Sequence, residues 1–315
     1  MAEITREDVA ALIQEEYSNV LLDTVDEQSA VIRAFGTVPL GTKVTNAPVL
    51  ASLPEAKWVS ETAPTEDDKT GVKPTSKVTW ANKQFVVEEI AVIIPVHEDV
   101  LEDATEDIIA SLTKLGGQAI GKALDEAVLF GKNKPATWLS PDLFAAATTA
   151  GSIFQVSATP GEDDLAGSIF QAAGAVADSG ADPSKVLSAS GLRFRLANLR
   201  AQDGTAILSR TMGDGGSFTD SIAGLDAAFV KNGAWDATKS LALVADADRV
   251  KIGVRQDITV KFLDQATVNG INLAETDRVA FRFKARYAYV LGDTINAAGS
   301  LMLPVAAVTP AAVTP

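Results

Sequence analysis

The chain has 315 residues, no Cys, one His and a formal charge of −14, and 47% of its residues are hydrophobic. The missing Cys excludes disulfides, zinc fingers and iron–sulfur clusters, and the single His97 excludes any site that needs two imidazoles. An acidic surface repels phosphates and so disfavours sequence-specific nucleic-acid readers. No stretch approaches the ~20 apolar residues of a membrane span, so we expect no membrane partner.

The first third of the chain predicts an arm and a projecting hairpin. A capping-box pattern at Thr5 and Asp8, followed by apolar residues at helical spacing, predicts an amphipathic helix over residues 5–22. Residues 61–76 are charged and contain two prolines, which is typical of an exposed loop. That loop separates Trp58 from the β-prone run Lys77–Val96, and together they predict a long hairpin.

A long helix is predicted next. Thr105 is a suitable N-cap, apolar residues then recur every three or four positions to Phe130, and Gly131 is a typical stop. Glycines at 116 and 117 lower helix propensity by about 1 kcal/mol each relative to Ala. They therefore predict a kink or a closely crossing partner.

The remainder predicts an α/β region and then a β ribbon. Helices are expected over 163–178 and 188–201, and a strand over 240–245. Alternation at 258–262 and 279–289 predicts two paired strands around a turn-rich connection at 268–277. The Pro- and Ala-rich tail is expected to be partly disordered.

Chemical motifs are sparse. His97, Glu98, Asp99, Glu102, Asp103, Glu106 and Asp107 form a dense acidic run that suits either a cation site or a solvated helix entrance. Walker A, H-E-x-x-H and G-x-S-x-G patterns are missing. Two arginine sets, 193/195/200 and 278/282/286, suit phosphate binding or acidic partners within or between subunits.

The order of these parts resembles the major capsid proteins of tailed bacteriophages with the HK97-like fold. The residues that carry the resemblance are Trp58–Glu61, Lys83–Val96, His97–Ala104 and Leu129–Gly131. The resemblance implies an α+β fold with an arm, an extended loop, a spine helix, a peripheral domain and an axial domain. The implied boundaries are 1–29 for the arm, 30–55 for peripheral-domain strands, 56–95 for the extended loop, 96–139 for the spine-helix part of the peripheral domain, 140–249 for the axial domain, 250–290 for the peripheral ribbon and 291–315 for the axial-domain end and a flexible tail.

The resemblance also implies where subunits meet. The expected intersubunit contacts are Trp58, Glu61, Lys77, Trp80, Lys83, Arg282 and Arg286. Some members of the family join subunits by a Lys–Asn isopeptide bond promoted by a Glu. Candidates for that crosslink here are Lys73, Lys77, Asn269, Asn272 and Glu275, and Lys69 and Lys83 are also in or beside the loop.

The function that follows from the resemblance is that of a shell subunit. Hexamers and pentamers would close an icosahedral virion capsid around double-stranded DNA, after assembly in the bacterial host cytoplasm. Expected partners are other copies of the chain, a separate scaffolding protein, a portal and decoration proteins; no enzyme activity, metal or cofactor is expected. Two alternatives stay open at this point: an encapsulin-like nanocompartment, and a metal-dependent α/β enzyme that uses the carboxylates at 97–107.

Overall fold

The structure is a computed structural model that describes residues 29–52, 54, 75–102, 108–157, 165–197, 221–222, 224–292, 295, 301–302 and 304–311. Helices and sheets both contribute, which confirms the α+β class. The predicted helix over 5–22 lies outside the described residues, as do Trp58, Glu61, Lys69, Lys73 and the loop up to residue 74.

Among the described residues there are six helices: α1 (Ala30–Phe35), α2 (Glu98–Glu102), α3 (Ile108–Phe130), α4 (Leu143–Thr149), α5 (Leu165–Asp178) and α6 (Leu192–Ala197). The strands are β1 (Thr37–Pro39), β2 (Val44–Ser52), β3 (Thr79–Val86), β4 (Glu88–His97), β5 (Ile153–Gln155), β6 (Lys185–Ala189), β7 (Ser221–Ile222), β8 (Leu225–Val230), β9 (Ala242–Ala245), β10 (Val250–Leu263), β11 (Thr267–Val268), β12 (Ile271–Asn272), β13 (Arg278–Leu291) and β14 (Val305–Thr309).

A four-stranded sheet in the order β1-β10-β13-β4 supports the long helix α3. The alternating residues of β13 place Phe281, Phe283 and Tyr289 in the hydrophobic core shared with α3. Strands β10 and β13 pair along most of their length, so the predicted ribbon is confirmed. Its two strands are one half of a sheet, because β4 also pairs with β13.

Helix α3 confirms the predicted stop and the predicted close partner. It ends at Phe130, and Gly131 follows with φ 67°, where its N–H donates to the carbonyl of Ala127 at 3.2 Å. Glycine reaches this left-handed conformation without a Cβ penalty. Gly116 lies against the ring of Phe283. Thr105, the predicted N-cap, lies outside the described residues.

The second sheet has six strands in the order β5-β14-β9-β6-β8-β7, with α5 packed on it. The predicted helix over 163–178 is confirmed as α5 within the described residues, and the strand predicted over 240–245 is confirmed as β9, which begins two residues later, at Ala242. The helix predicted from residue 188 is wrong at its start. Ser188 is fully buried in β6, and α6 begins only at Leu192.

The predicted flexible tail is wrong for Val305–Thr309, which forms strand β14 between β5 and β9. Val305, Ala306, Ala307 and Val308 are buried, because small apolar side chains fit a central strand that is covered on both faces. Residues 312–315 lie outside the described residues.

Two expectations for the first third of the chain also change. Residues 30–35, expected as strand, form α1, because Ser29 caps it by accepting a hydrogen bond from the N–H of Ile32. The run Lys77–Val96 is split at Val87 into two strands with different partners: β3 pairs with β2, and β4 pairs with β13. The hairpin strands are therefore 44–52 and 79–86, so the hairpin begins before residue 56, and β4 belongs to the four-stranded sheet.

Candidate functional site

The hairpin of β2 and β3 exposes most of its described length. Thr79, Trp80, Ala81 and Asn82 are all exposed, although successive residues of a strand point to opposite faces. The Trp80 side chain is 68% exposed and its backbone is paired with that of Leu50. An isolated two-stranded ribbon is at best marginally stable in water. The outer part of the hairpin thus offers two uncovered faces to a neighbouring molecule.

The base of the hairpin is attached to the four-stranded sheet. Phe85 and Val87 form a small buried cluster with Leu40, Ala288 and Val290. The Lys83 ammonium donates to the carbonyl of Leu291 at 3.3 Å, and burial lowers the pKa of Lys83. Lys83, an expected intersubunit contact, is therefore already engaged within its own subunit. The attachment leaves the outer part of the hairpin unsupported by its own sheet.

The outer side of the four-stranded sheet carries a row of positive charges. Arg282, Lys284 and Arg286 alternate along β13, on the face opposite the core residues. Lys261 of β10 is paired with Arg282 and adds a fourth cation. We call these four residues the cationic face. Ala288 and Val290 continue the same side of β13 and are covered by the hairpin base, so the cationic face begins where the hairpin is attached.

One carboxylate partly neutralises the cationic face. Glu89 of β4 lies 2.7 Å from the Lys284 ammonium and 3.2 Å from the Arg286 guanidinium. Hydrogen bonds from Lys284 and Arg286 hold the pKa of Glu89 below its ordinary value, against the opposing effect of burial. The Nε–H group of Arg282 is buried and donates to no acceptor among the described residues. The face thus keeps excess positive charge on a chain whose formal charge is −14.

The Asn and Glu candidates for the crosslink lie in the connection between β10 and β13. Asn269 and Gly270 form the turn between β11 and β12 with φ values of 50° and 81°. Asn272 is paired with Thr267, and Glu275 is exposed in the following turn. Lys77 is exposed just before β3, and Lys73 lies outside the described residues. The proposed bond joins two subunits, so it stays a prediction.

The acidic run at 97–107 is only partly described. The imidazole of His97 lies 3.4 Å from the carboxylate of Asp99, and both side chains are substantially exposed. In the described part of the chain, no three His, Asp or Glu side chains are grouped so that they could hold a metal ion. None of the described helices has both the length and the apolar character required to cross a membrane.

A buried carboxylate that the sequence did not single out joins three parts of the fold. Asp125 of α3 is fully buried and accepts hydrogen bonds from the Ser29 hydroxyl (2.7 Å), the Asn232 amide (2.8 Å) and the N–H groups of Ala30 and Val31 (3.0 and 3.3 Å). A single Asp on the apolar side of a predicted helix was the available signal. Asp125 thereby fixes the start of α1 on α3, the helix that corresponds to the expected spine helix.

Comparisons with known proteins agree with this architecture. A sequence profile of the phage capsid family matches residues 9–297. Solved structures from three phages superpose over nearly their whole length: Mycobacterium phage Cain (48% identity, TM-score 0.81, 99% of this chain and 100% of that one), Mycobacterium phage Bobi (50%, 0.79, 98% and 99%) and Microbacterium phage Oxtober96 (40%, 0.78, 98% and 100%). A search of curated proteins found no match.

These relatives favour one of the alternatives that the sequence left open. Full-length similarity to proteins of phage particles favours a viral shell over a nanocompartment, and the matched family is one of structural shell proteins. The relatedness also confirms the HK97-like class of the fold. Membership of this family implies self-association into oligomeric shells and a place in the virion capsid. The chain belongs to the phage capsid family and is a major capsid protein of a tailed phage.

Proposed function

We propose that this chain closes an icosahedral shell around double-stranded DNA as hexamers and pentamers, and that its hairpin and cationic face are the surfaces through which neighbouring subunits meet. The observation that carries the proposal is the hairpin, which is buried at its base and exposed on both faces beyond it. Such a ribbon gains its missing burial when it lies across a second copy.

Trp80 is the expected anchor of the hairpin contact. Large aromatic side chains dominate the energetics of interfaces, because they bury much area with few rotatable bonds. At 68% exposure, Trp80 has most of that area still to bury. The contact of one hairpin need not be strong, since symmetry repeats it around every capsomer and multivalency adds the contacts together.

The cationic face is expected to meet an acidic surface of a neighbouring subunit. Lys261, Arg282 and Arg286 concentrate positive charge on a chain that is acidic overall. Complementary charges orient two subunits and oppose wrong registers, whereas like charges keep the free subunits apart. Exposed Ile93, paired with Arg282 across β4 and β13, adds apolar area to the same face.

The enclosed DNA is held by geometry rather than by specific affinity. A subunit with a charge of −14 repels phosphates, so packaged DNA is retained because the shell is closed and counterions screen the repulsion. The chain acts without catalysis and assembles in the bacterial host cytoplasm. A separate scaffolding protein, a portal and decoration proteins complete the expected partners.

The test compares two exposed aromatic residues. We expect Trp80→Ser to leave the subunit folded but to reduce closed particles at least tenfold, as counted by electron microscopy after sedimentation. Phe170→Ser is the matched control, because Phe170 is 59% exposed but lies on α5, away from the hairpin. Normal particle yield for Trp80→Ser would refute the role of the hairpin. Protein cargo instead of DNA inside purified particles would refute the genome-container function.

A further inference from the structure

We propose that a small cavity between α1, α6 and β8 is a binding site for a dianionic phosphate group. The cavity has a volume of about 160 Å³ and is lined by Arg33, Arg193, Lys231, Asp226 and Phe229, together with small residues of α1 and β8. It is lined by residues of α1, α6 and β8 and by Lys231, and it shares no residue with the cationic face. The proposal is therefore independent of the intersubunit contacts proposed above.

The charge of the lining calls for an anion with two charges. The described lining holds three cationic side chains and one carboxylate, and that carboxylate, Asp226, is already paired with the ammonium of Lys185. Counted over the described residues only, the lining carries a net charge of about +2. A phosphate monoester or inorganic phosphate carries about −1.5 to −2 at pH 7, whereas a carboxylate carries only −1.

The two arginines are held in place by the protein itself. One N–H group of the Arg33 guanidinium donates to the carbonyl of Phe229 at 2.9 Å. The guanidinium of Arg193 lies over two aromatic rings, 4.7 Å from the centroid of Phe194 and 5.6 Å from that of Phe229. A guanidinium has five N–H donors, and a stacked one binds through its edge, in the fork geometry that matches phosphate oxygens. Little side-chain entropy is lost on binding when the donors are already ordered.

The size of the cavity is sufficient for a phosphate group. About 160 Å³ corresponds to roughly five water molecules at about 30 Å³ each. A phosphate has five non-hydrogen atoms, so the cavity has room for the group with its oxygens near the lining. The cavity is open to solvent, and Arg33 and Lys231 are exposed, so a phosphate can enter without a large rearrangement.

Binding would link three elements that are distant in sequence. Arg33 belongs to α1 and Arg193 to α6, and Lys231 is the residue that follows β8. A ligand that binds the folded chain and not the unfolded chain stabilises the fold by mass action. Phosphate should therefore raise the midpoint of thermal unfolding of the full chain, while chloride at equal ionic strength should not.

The test is equilibrium dialysis of the full-length protein with radiolabelled inorganic phosphate. We expect one saturable site per subunit, with affinity reduced at least tenfold by Arg193→Gln and at least threefold by Lys231→Gln. Lys43→Gln is the matched control, because Lys43 is also an exposed lysine but lies next to β2. This variant should bind phosphate with the same affinity as the unmodified chain. Lys231 is exposed, so its variant should fold even if Arg193→Gln does not. No saturable binding, or equal loss with Lys43→Gln, would overturn the proposal.

Competition identifies the source of the phosphate. An oligonucleotide without terminal phosphates that displaces the label as well as unlabelled phosphate would assign the site to the DNA backbone. Displacement by unlabelled inorganic phosphate but not by this oligonucleotide would assign it to a free phosphate or a monoester. Acetate that competes as well as phosphate would show a carboxylate site, meaning that an acidic side chain of a second copy fills the cavity, and would overturn the phosphate proposal.

Discussion

Gly116 of the spine helix lies so close to Phe283 of the central strand β13 that a Cβ built on Gly116 would be 2.8 Å from the ring. Phe283 is fully buried, so the ring has no solvent side into which it could move. The absence of a side chain at Gly116 therefore sets how closely the spine helix packs on its sheet.

Replacing this glycine tests that contact. We expect Gly116→Ala to lower the free energy of unfolding by about 1–3 kcal/mol, the usual effect of overpacking, despite the better helix propensity of Ala. Gly174→Ala is the control: Gly174 lies inside α5 with nothing within 4 Å of a built Cβ, so the change should stabilise by up to about 1 kcal/mol. Urea unfolding of both variants measures the difference. A stabilised Gly116→Ala would contradict the packing.

The buried carboxylate of Asp125 predicts a pH dependence. Burial raises its pKa from 3.8 to about 6, while hydrogen bonds from Ser29, Asn232 and two N–H groups act in the opposite direction. Between these two pH values the folded chain holds a proton that the unfolded chain has lost, so the contribution of Asp125 to stability falls as pH rises from about 4 to about 6. The fall is on the order of 3 kcal/mol and is complete above pH 6.

Asp125→Asn isolates this effect because Asn does not titrate. The variant should be less stable at every pH, since Asn offers a single acceptor oxygen to donors that now share two. The stability advantage of the unmodified chain should shrink from pH 4 to pH 6 and stay constant above. Unfolding free energies measured in steps of half a pH unit would show this, and an advantage that grows with pH would contradict the assignment.

The spine helix and the ribbon could be predicted from sequence because the apolar residues of each recur at a characteristic spacing. Apolar residues every three or four positions indicate α3, and the alternation of Val279, Phe281 and Phe283 indicates β13. Strand partners are not encoded in this way. The pairing of β2 with β3, and of β4 with β13, depends on tertiary contacts far apart in the chain.

The cationic face was predictable only in part for the same reason. Arg282 and Arg286 stand out in one strand, but Lys261 and Glu89 come from two other strands, and their place follows from register alone. The prediction of a disordered C-terminal tail was wrong for a different reason. The Pro and Ala content of the tail is typical of disorder, yet residues 305–308 are buried because β14 pairs with β5 on one side and β9 on the other, where its small apolar side chains fit.

Removing the charge of Glu89 and removing that of Arg286 should have opposite effects on the salt resistance of assembled shells. Glu89→Gln leaves the cationic face more positive, so shells should resist dissociation by salt better than unmodified shells. Arg286→Gln makes the face less positive, and those shells should dissociate at lower salt. Both residues are partly exposed, so subunit stability should change by less than about 1 kcal/mol. Light scattering during a salt titration measures dissociation, and shifts in the same direction would refute an acidic partner.

The crosslink prediction concerns assembled particles. Attack of the Lys73 or Lys77 amine on the carboxamide of Asn269 or Asn272 would form an isopeptide bond and release ammonia, with Glu275 accepting the amine proton. Boiling in SDS should then leave ladders heavier than the 32.9 kDa subunit, and Asn269→Asp together with Asn272→Asp should abolish them. Only monomer from unmodified mature particles would exclude the bond.

The most direct test of the central claim is a cryo-electron microscopy map of assembled particles at side-chain resolution. We predict an icosahedral shell of hexamers and pentamers in which Trp80 of one subunit is buried against its neighbour, and in which Arg282 and Arg286 face acidic side chains of another copy. A shell in which the hairpin and the cationic face both remain exposed to solvent would contradict the account.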